Sequence, residues 1–207
     1  MEELLRRYSA ELRIRLDDAE VEALVKFAEL IAKWNRITNL VASSLPAELI
    51  HRHIVDCLAV TPFLSGPRIV DVGSGAGLPG IVLAIMHPDS DVTLVESHQR
   101  KSRFLRQAAI ELGLGNVTVV ARRIEDWRAG QPVDCAVSRG YGSLSKFFDD
   151  TRALHRDGCR LVAMKGAEPT AEIVGLALAQ AAVSVQLLTV PGWEHRHLVT
   201  IDCGKLE

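Results

Sequence analysis

The stretch "RIVDVGSGAGLPG", residues 68–80, runs from a short aliphatic strand into four glycines within ten residues. In an open parallel sheet the ligand crevice lies beyond the carboxyl ends of the strands, where the strand order reverses, and the loop after the first strand borders it. Glycines at 73, 75 and 77 remove three side chains where the chain turns, so a ligand can come close to the main-chain amides. The dinucleotide fingerprint G-x-G-x-x-G, counted from Gly73, needs glycine at 78. That position is Leu78, whose bulk is expected to obstruct a pyrophosphate and to suit an adenosine or methionine chain. By itself the loop fits equally well a strand-to-helix turn that holds nothing.

The chain around it has two textures. Before residue 66 it reads as helix. Asp17 and Glu20 have capping-box spacing ahead of Val21, Leu24, Ala28, Ile31 and Ala32, a helix expected to end near Trp34. Pro46 opens a second stripe through Leu49, Ile50, Ile54, Cys57 and Leu58, which stops before Pro62. From Arg68 onward seven aliphatic segments follow: "RIVDV", "VTLVE", "VTVV", "CAVS", "RLVAM", "VQLLTV" and "HLVTID". Helical stretches separate the first five, predicting parallel strands with right-handed crossovers. Only "PGWEHR" separates the last two, predicting an antiparallel hairpin. The expected organisation is a helical extension over residues 1–65 and an α/β domain over 66–207, forming one compact unit.

Composition sets the class. The chain has 207 residues, 48% hydrophobic, 24% charged and 5% aromatic, as in ordinary globular proteins. It opens with the charged "MEELLRRYSAELRIRL", and no apolar run approaches the ~20 residues of a membrane span, so a cytoplasmic protein is expected, without membrane partners. Cys57, Cys135, Cys159 and Cys203 form no C-x-x-C pair, which predicts neither a disulfide framework nor a zinc cluster. With 24 basic against 26 acidic residues the net charge is −2, so any nucleic-acid contact has to come from local clustering.

Two further strand ends narrow the ligand. The second strand ends on Glu96, about twenty residues past the loop, where a carboxylate accepts from both hydroxyls of a ribose. After the third strand, "RRIEDW" supplies Ile124 for the face of an adenine and the acidic pair Glu125 and Asp126 for its amino group. An adenine, a diol and no essential phosphate together describe S-adenosylmethionine. The closing hairpin agrees: it favours a seven-stranded, mostly parallel Rossmann-like class I methyltransferase sheet over a dinucleotide-binding one.

At this level the sequence resembles the glucose-inhibited division protein B family, also called ribosomal small-subunit methyltransferase G. The resemblance rests on "WNRITNL" at 34–40, "RHIVDCL" at 52–58, "DVGSGAGLPGIVLAI" at 71–85, "SRGYGSL" at 138–144, "MKG" at 164–166 and "RHLVTI" at 196–201. Val41, Cys57 and Gly140 depart from the pattern. The resemblance implies transfer of a methyl group from S-adenosylmethionine to N7 of a guanine in the decoding-centre region of 16S ribosomal RNA, within the small subunit or an assembly intermediate. It also implies cofactor contacts at Gly73, Leu78, Ile124, Glu125 and Arg139, with Glu96 on the ribose; the open loop adds Gly75 to the expected cofactor contacts.

Guanine N7 carries an in-plane lone pair and no proton, so its attack on a sulfonium methyl needs no general base, and catalysis rests on in-line positioning. No catalytic dyad is therefore sought. Arg139, Lys165 and Arg196 are the candidates for positioning the substrate, with His197 beside the last. Arg139 can also make a bidentate contact with the cofactor carboxylate. Arg100, Arg103 and Arg106 are spaced to meet phosphate, or else form a solvated helix face. The pairs His51/His53 and His195/His197 make poor chelates, the first because residues two apart on a helix diverge and the second for want of a third ligand; no metal is expected. Trp34, Asn35 and Asn39 read as a capped, packed helix end, while the resemblance implies a place near the substrate pocket for Asn39. Besides an RNA methyltransferase, two readings stay open: a methyltransferase acting on a small molecule or protein, and an RNA-binding assembly factor without turnover.

Overall fold

A computed structural model describes residues 1–64, 66–176 and 182–205. Ser65, where the extension was expected to end, lies outside them. Seven strands form one sheet: β1 (Arg68–Val72), β2 (Asp91–Val95), β3 (Val117–Val120), β4 (Cys135–Arg139), β5 (Arg160–Lys165), β6 (Val183–Leu187) and β7 (His197–Asp202). Their order is β3-β2-β1-β4-β5-β7-β6, with the first five parallel and β7 antiparallel to both its neighbours. This is the mostly parallel sheet with a closing hairpin that the sequence predicts. The order reverses between β1 and β4, so the crevice opens at their carboxyl ends.

The helices follow local signals. α1 (Glu2–Glu11) precedes α2 (Asp18–Asn35), whose capping box is formed: Asp17 Oδ1 accepts the Glu20 N–H at 2.8 Å, and Glu20 Oε2 accepts the Asp17 N–H at 2.8 Å. Such a cap stabilises a helix by ~1 kcal/mol. Next come α3 (Pro46–Glu48), with proline in its first turn, and α4 (Val55–Leu58), joined without a break by a π-helical segment, Leu49–Ile54. There the Val55 N–H reaches back to Ile50 O, widening the turn in a way the apolar spacing did not reveal. α5 (Gly80–Met86) and α6 (Gln99–Glu111) lie against one face of the sheet, and α7 (Leu144–Asp150) against the other. α8 (Thr170–Leu176) leads toward β6.

Alternate residues of the strands feed two cores. Ile69, Leu94, Val137 and Val162 pack with α5, α6 and the N-terminal helices, where Phe27, Ile31, Ile50 and Leu58 are fully buried. Val70, Val72, Val95 and Leu161 face α7 through Leu144 and Phe147. One expected element is shifted: the sixth strand ends at Leu187, not at Val190. Leu188 and Val190 leave the sheet to bury themselves beside the N-terminal helices, and an apolar run does not distinguish that burial from a strand.

Candidate active site

The glycine loop is tied to the sheet by its backbone. The Gly73 and Ser74 N–H groups donate to Val95 O at 2.9 and 3.1 Å, holding the loop over the end of β2. Gly73 has φ +70°, and a Cβ there would lie 2.7 Å from Tyr141 Cδ2, so only glycine leaves both the turn and the ring in place. Beneath the loop Asp71 is buried. Its Oδ2 accepts the Gly80 N–H at 2.9 Å, while Oδ1 has no partner among the described residues. Burial pushes this carboxyl up to about 7, against the pull of the Gly80 N–H.

Glu96 joins loop to strand end. Its Oε2 accepts the Gly75 N–H at 2.9 Å and its Oε1 the His98 N–H at 2.7 Å. A carboxylate has about four acceptor positions, so two remain for a diol. Gly73, Val95, Ile124, Glu125 and Tyr141 line the hollow beside it. Leu78 does not. Its side chain is 4% exposed and packs in the core with the N-terminal helices. The expectation that its bulk shapes the ligand site is therefore corrected: the loop turns the residue down into the fold, and steric exclusion of a pyrophosphate does not come from it.

Of the candidates for positioning the substrate, the structure draws Arg139 and Arg196 together through a residue the sequence did not single out. Asp56, with only 2% of its side chain exposed, pairs with Arg139 Nη1 at 3.2 Å and with Arg196 Nε at 2.8 Å. Arg196 Nη2 also donates to Asp56 Oδ2 at 3.2 Å, and its guanidinium lies 3.8 Å from the Trp193 ring centroid. Arg139 Nη1 donates to His53 Nδ1 at 3.3 Å. Burial, followed by the charges of Arg139, Arg196 and Arg52, lowers His53 to about 4, so the ring is neutral near pH 7. Gly166 of "MKG" makes room for this cluster, since a Cβ there would stand 2.9 Å from Arg196 Nη1.

Lys165 is placed otherwise. Its Nζ pairs with Glu172 Oε1 at 2.7 Å and donates to Gly142 O at 3.0 Å, so it ties β5 to α8 and the β4–α7 loop. Among the described residues no hydrogen bond or ion pair joins it to the Asp56 cluster. "SRGYGSL" and "MKG" instead enclose a pocket of about 130 Å³ between the ends of β4 and β5, with Tyr141 as the wall shared with the Glu96 hollow. Tyr141 is fixed by its O–H donating to Asp150 Oδ2 at 2.7 Å. Neither Tyr141 nor Asp56 was given a role from sequence, although both lie inside quoted motifs; a buried acid among basic residues in "RHIVDCL" was the available signal.

The remaining singled-out residues are structural where they have contacts. Asn35 Oδ1 accepts the Leu40 and Val41 N–H groups at 2.8 and 3.0 Å, closing the end of α2, and Trp34 packs 5.6 Å from Phe104. His51 stacks on Tyr8 at 4.7 Å and its Nε2–H donates to Pro191 O at 2.6 Å, away from His53. Among the described residues no cluster of His, Cys, Asp or Glu is arranged to hold a metal ion, and no helix is long and apolar enough to cross a membrane.

The family model for rRNA small subunit methyltransferase G matches residues 20–199. The chain belongs to that family. It is 42% identical to the ribosomal RNA small subunit methyltransferase G of Alkalilimnicola ehrlichii, over 91% of this chain and 86% of the relative. The protein of the same name from Nitrosomonas europaea is 45% identical over 86% and 85%, and that of Methylococcus capsulatus 42% over 96% and 97%. Solved structures share the fold at low identity. A tRNA methyltransferase, TrmI, from Aquifex aeolicus aligns with TM-score 0.55 and 11% identity, covering 72% of this chain and 68% of that one. A SAM-dependent O-methyltransferase from Thermotoga maritima aligns with TM-score 0.54 and 18% identity, covering 71% and 64%. The fold is thus the class I methyltransferase fold, as expected for a small-subunit methyltransferase G.

Proposed function

We propose that this protein transfers the methyl group of S-adenosylmethionine to N7 of a guanine in the decoding-centre region of 16S ribosomal RNA. The observation that carries the reading is Glu96, whose carboxylate grips the Gly75 amide and keeps acceptor positions free next to the hollow lined by its neighbours Val95 and Ser97 and by Gly73. The residues fit the cofactor: Glu96 for a ribose diol, side-chain-free Gly73 for a close approach, Ile124 for a ring face and Glu125 for an exocyclic amine. Bound there, S-adenosylmethionine supplies an electrophilic methyl on a sulfonium. Gly73, Gly75, Glu96, Ile124, Glu125 and Arg139 bind and orient it. Leu78 contributes by packing the loop from below.

Arg139 and Arg196, fixed by Asp56, position the RNA, and their forked guanidinium groups suit phosphate or the guanine edge. Lys165 holds the wall of the β4–β5 pocket through Glu172. No side chain needs to remove a proton, because N7 has none. The partner is 16S RNA in the small subunit or an assembly intermediate, in the cytoplasm. Residues 1–65 act as a helical extension of a methyltransferase domain over 66–207, in one compact unit; the core shared between them supports this. Labelled methyl transfer to small subunits and to naked 16S RNA, followed by borohydride and aniline cleavage, tests the reading. Cleavage at one guanine is expected, and labelled RNA that resists cleavage at every guanine defeats N7 as the target.

A further inference from the structure

The helix that opens "HQRKSRFLRQ" does more than present a solvated stripe. Its first two turns and the loop after β3 border a groove of about 750 Å³ lined by Arg100, Arg103, Arg122 and Arg123, with His98 and Asp126. Arg122 and Arg123 also line the hollow beside Glu96, so the groove starts where the cofactor crevice ends. All four arginines are exposed, and none forms an ion pair among the described residues. Four cations against Asp126, on a chain of net charge −2, are a concentration of one sign that costs self-repulsion unless an anion sits there. The first turn of α6 carries no acidic residue, so the positive end of the helix adds to the same field.

We infer that this groove carries the phosphodiester backbone of the substrate RNA next to the target nucleotide, an assignment that rests on reading the protein as an RNA methyltransferase. Exposed, unpaired guanidinium groups on a rigid helix and an adjoining loop suit a flexible polyanion, with successive phosphates met by successive arginines. Arg106 lies on the same helix outside the groove lining, which makes it an internal control.

The test is filter binding of a 16S RNA transcript over a potassium chloride series, with the wild type, the double variant Arg100→Ala/Arg103→Ala, and Arg106→Ala. Each phosphate contact contributes about 0.7–0.9 to the slope of log affinity against log salt. The double variant is expected to lose about 1.5 of slope and roughly tenfold in affinity, with calorimetric S-adenosylmethionine binding and Tm unchanged. Arg106→Ala should match the wild type. A double variant with the wild-type slope overturns the groove while leaving the methyltransferase reading intact. Activity lost on small subunits with unchanged binding of naked RNA overturns it as well, assigning the groove to a subunit protein. A wild-type protein that neither binds nor methylates RNA defeats the underlying reading, and the groove assignment with it.

Discussion

Asp71 is buried and His53 half-buried, and their protons respond to folding in opposite directions. Asp71 titrates near 3.8 in the unfolded chain and about 7 when folded, so the stability it confers is full at low pH and is lost as pH rises through that window. His53 falls from 6.5 to about 4, so its contribution is full above 6.5 and lost as pH drops toward 4. Over their overlap the two slopes offset. Asp71→Asn should make Tm climb more steeply from pH 4 to 7, while His53→Gln should make it decline, as thermal melts across that range would record. At Gly73 the conflict is steric. A side chain would meet Tyr141 at 2.7 Å in a left-handed backbone that costs ~1–2 kcal/mol for other residues. Gly73→Val is expected to stay folded by circular dichroism and to bind S-adenosylmethionine at least a hundredfold more weakly by calorimetry.

The helical segment from Pro46 to Leu58 is the element through which the N-terminal region reaches the site. Its π-turn sends His51 toward Tyr8 and Pro191, and His53 and Asp56, one turn apart, toward Arg139. Asp56→Ala leaves two largely buried arginines without their shared counter-charge, which should cost ~3–5 kcal/mol in urea unfolding. Methyl transfer should be lost even where the variant remains folded. What the sequence disclosed about elements follows the range of the signal. The Asp17–Glu20 box and the glycine turn are local and stood out, as did Glu96 at a strand end. The Asp56–Arg196 pair spans 140 residues and leaves no trace in periodicity. Leu78 and the run at 185–190 misled for one reason: an apolar side chain announces burial but not against what.

At the scale of the whole molecule, the N-terminal helices and one sheet face share a core, with Phe27, Ile31 and Leu58 packed in the same cluster as Leu83 and Phe104. A shared core predicts a single cooperative transition. Melts followed by tryptophan fluorescence, which includes Trp34 on α2, and by far-ultraviolet circular dichroism should coincide; two separated midpoints would mean that the helices detach first. The strand order adds a constraint on timing. β7, which follows Arg196, inserts between β5 and β6, while Asp56 belongs to the first third of the chain. On the ribosome Asp56 therefore emerges long before one of its two cations, and a nascent chain interrupted upstream of Arg196 holds a carboxylate only half neutralised. The enzyme gains its charge-balanced Asp56 cluster only when its own translation has passed Arg196.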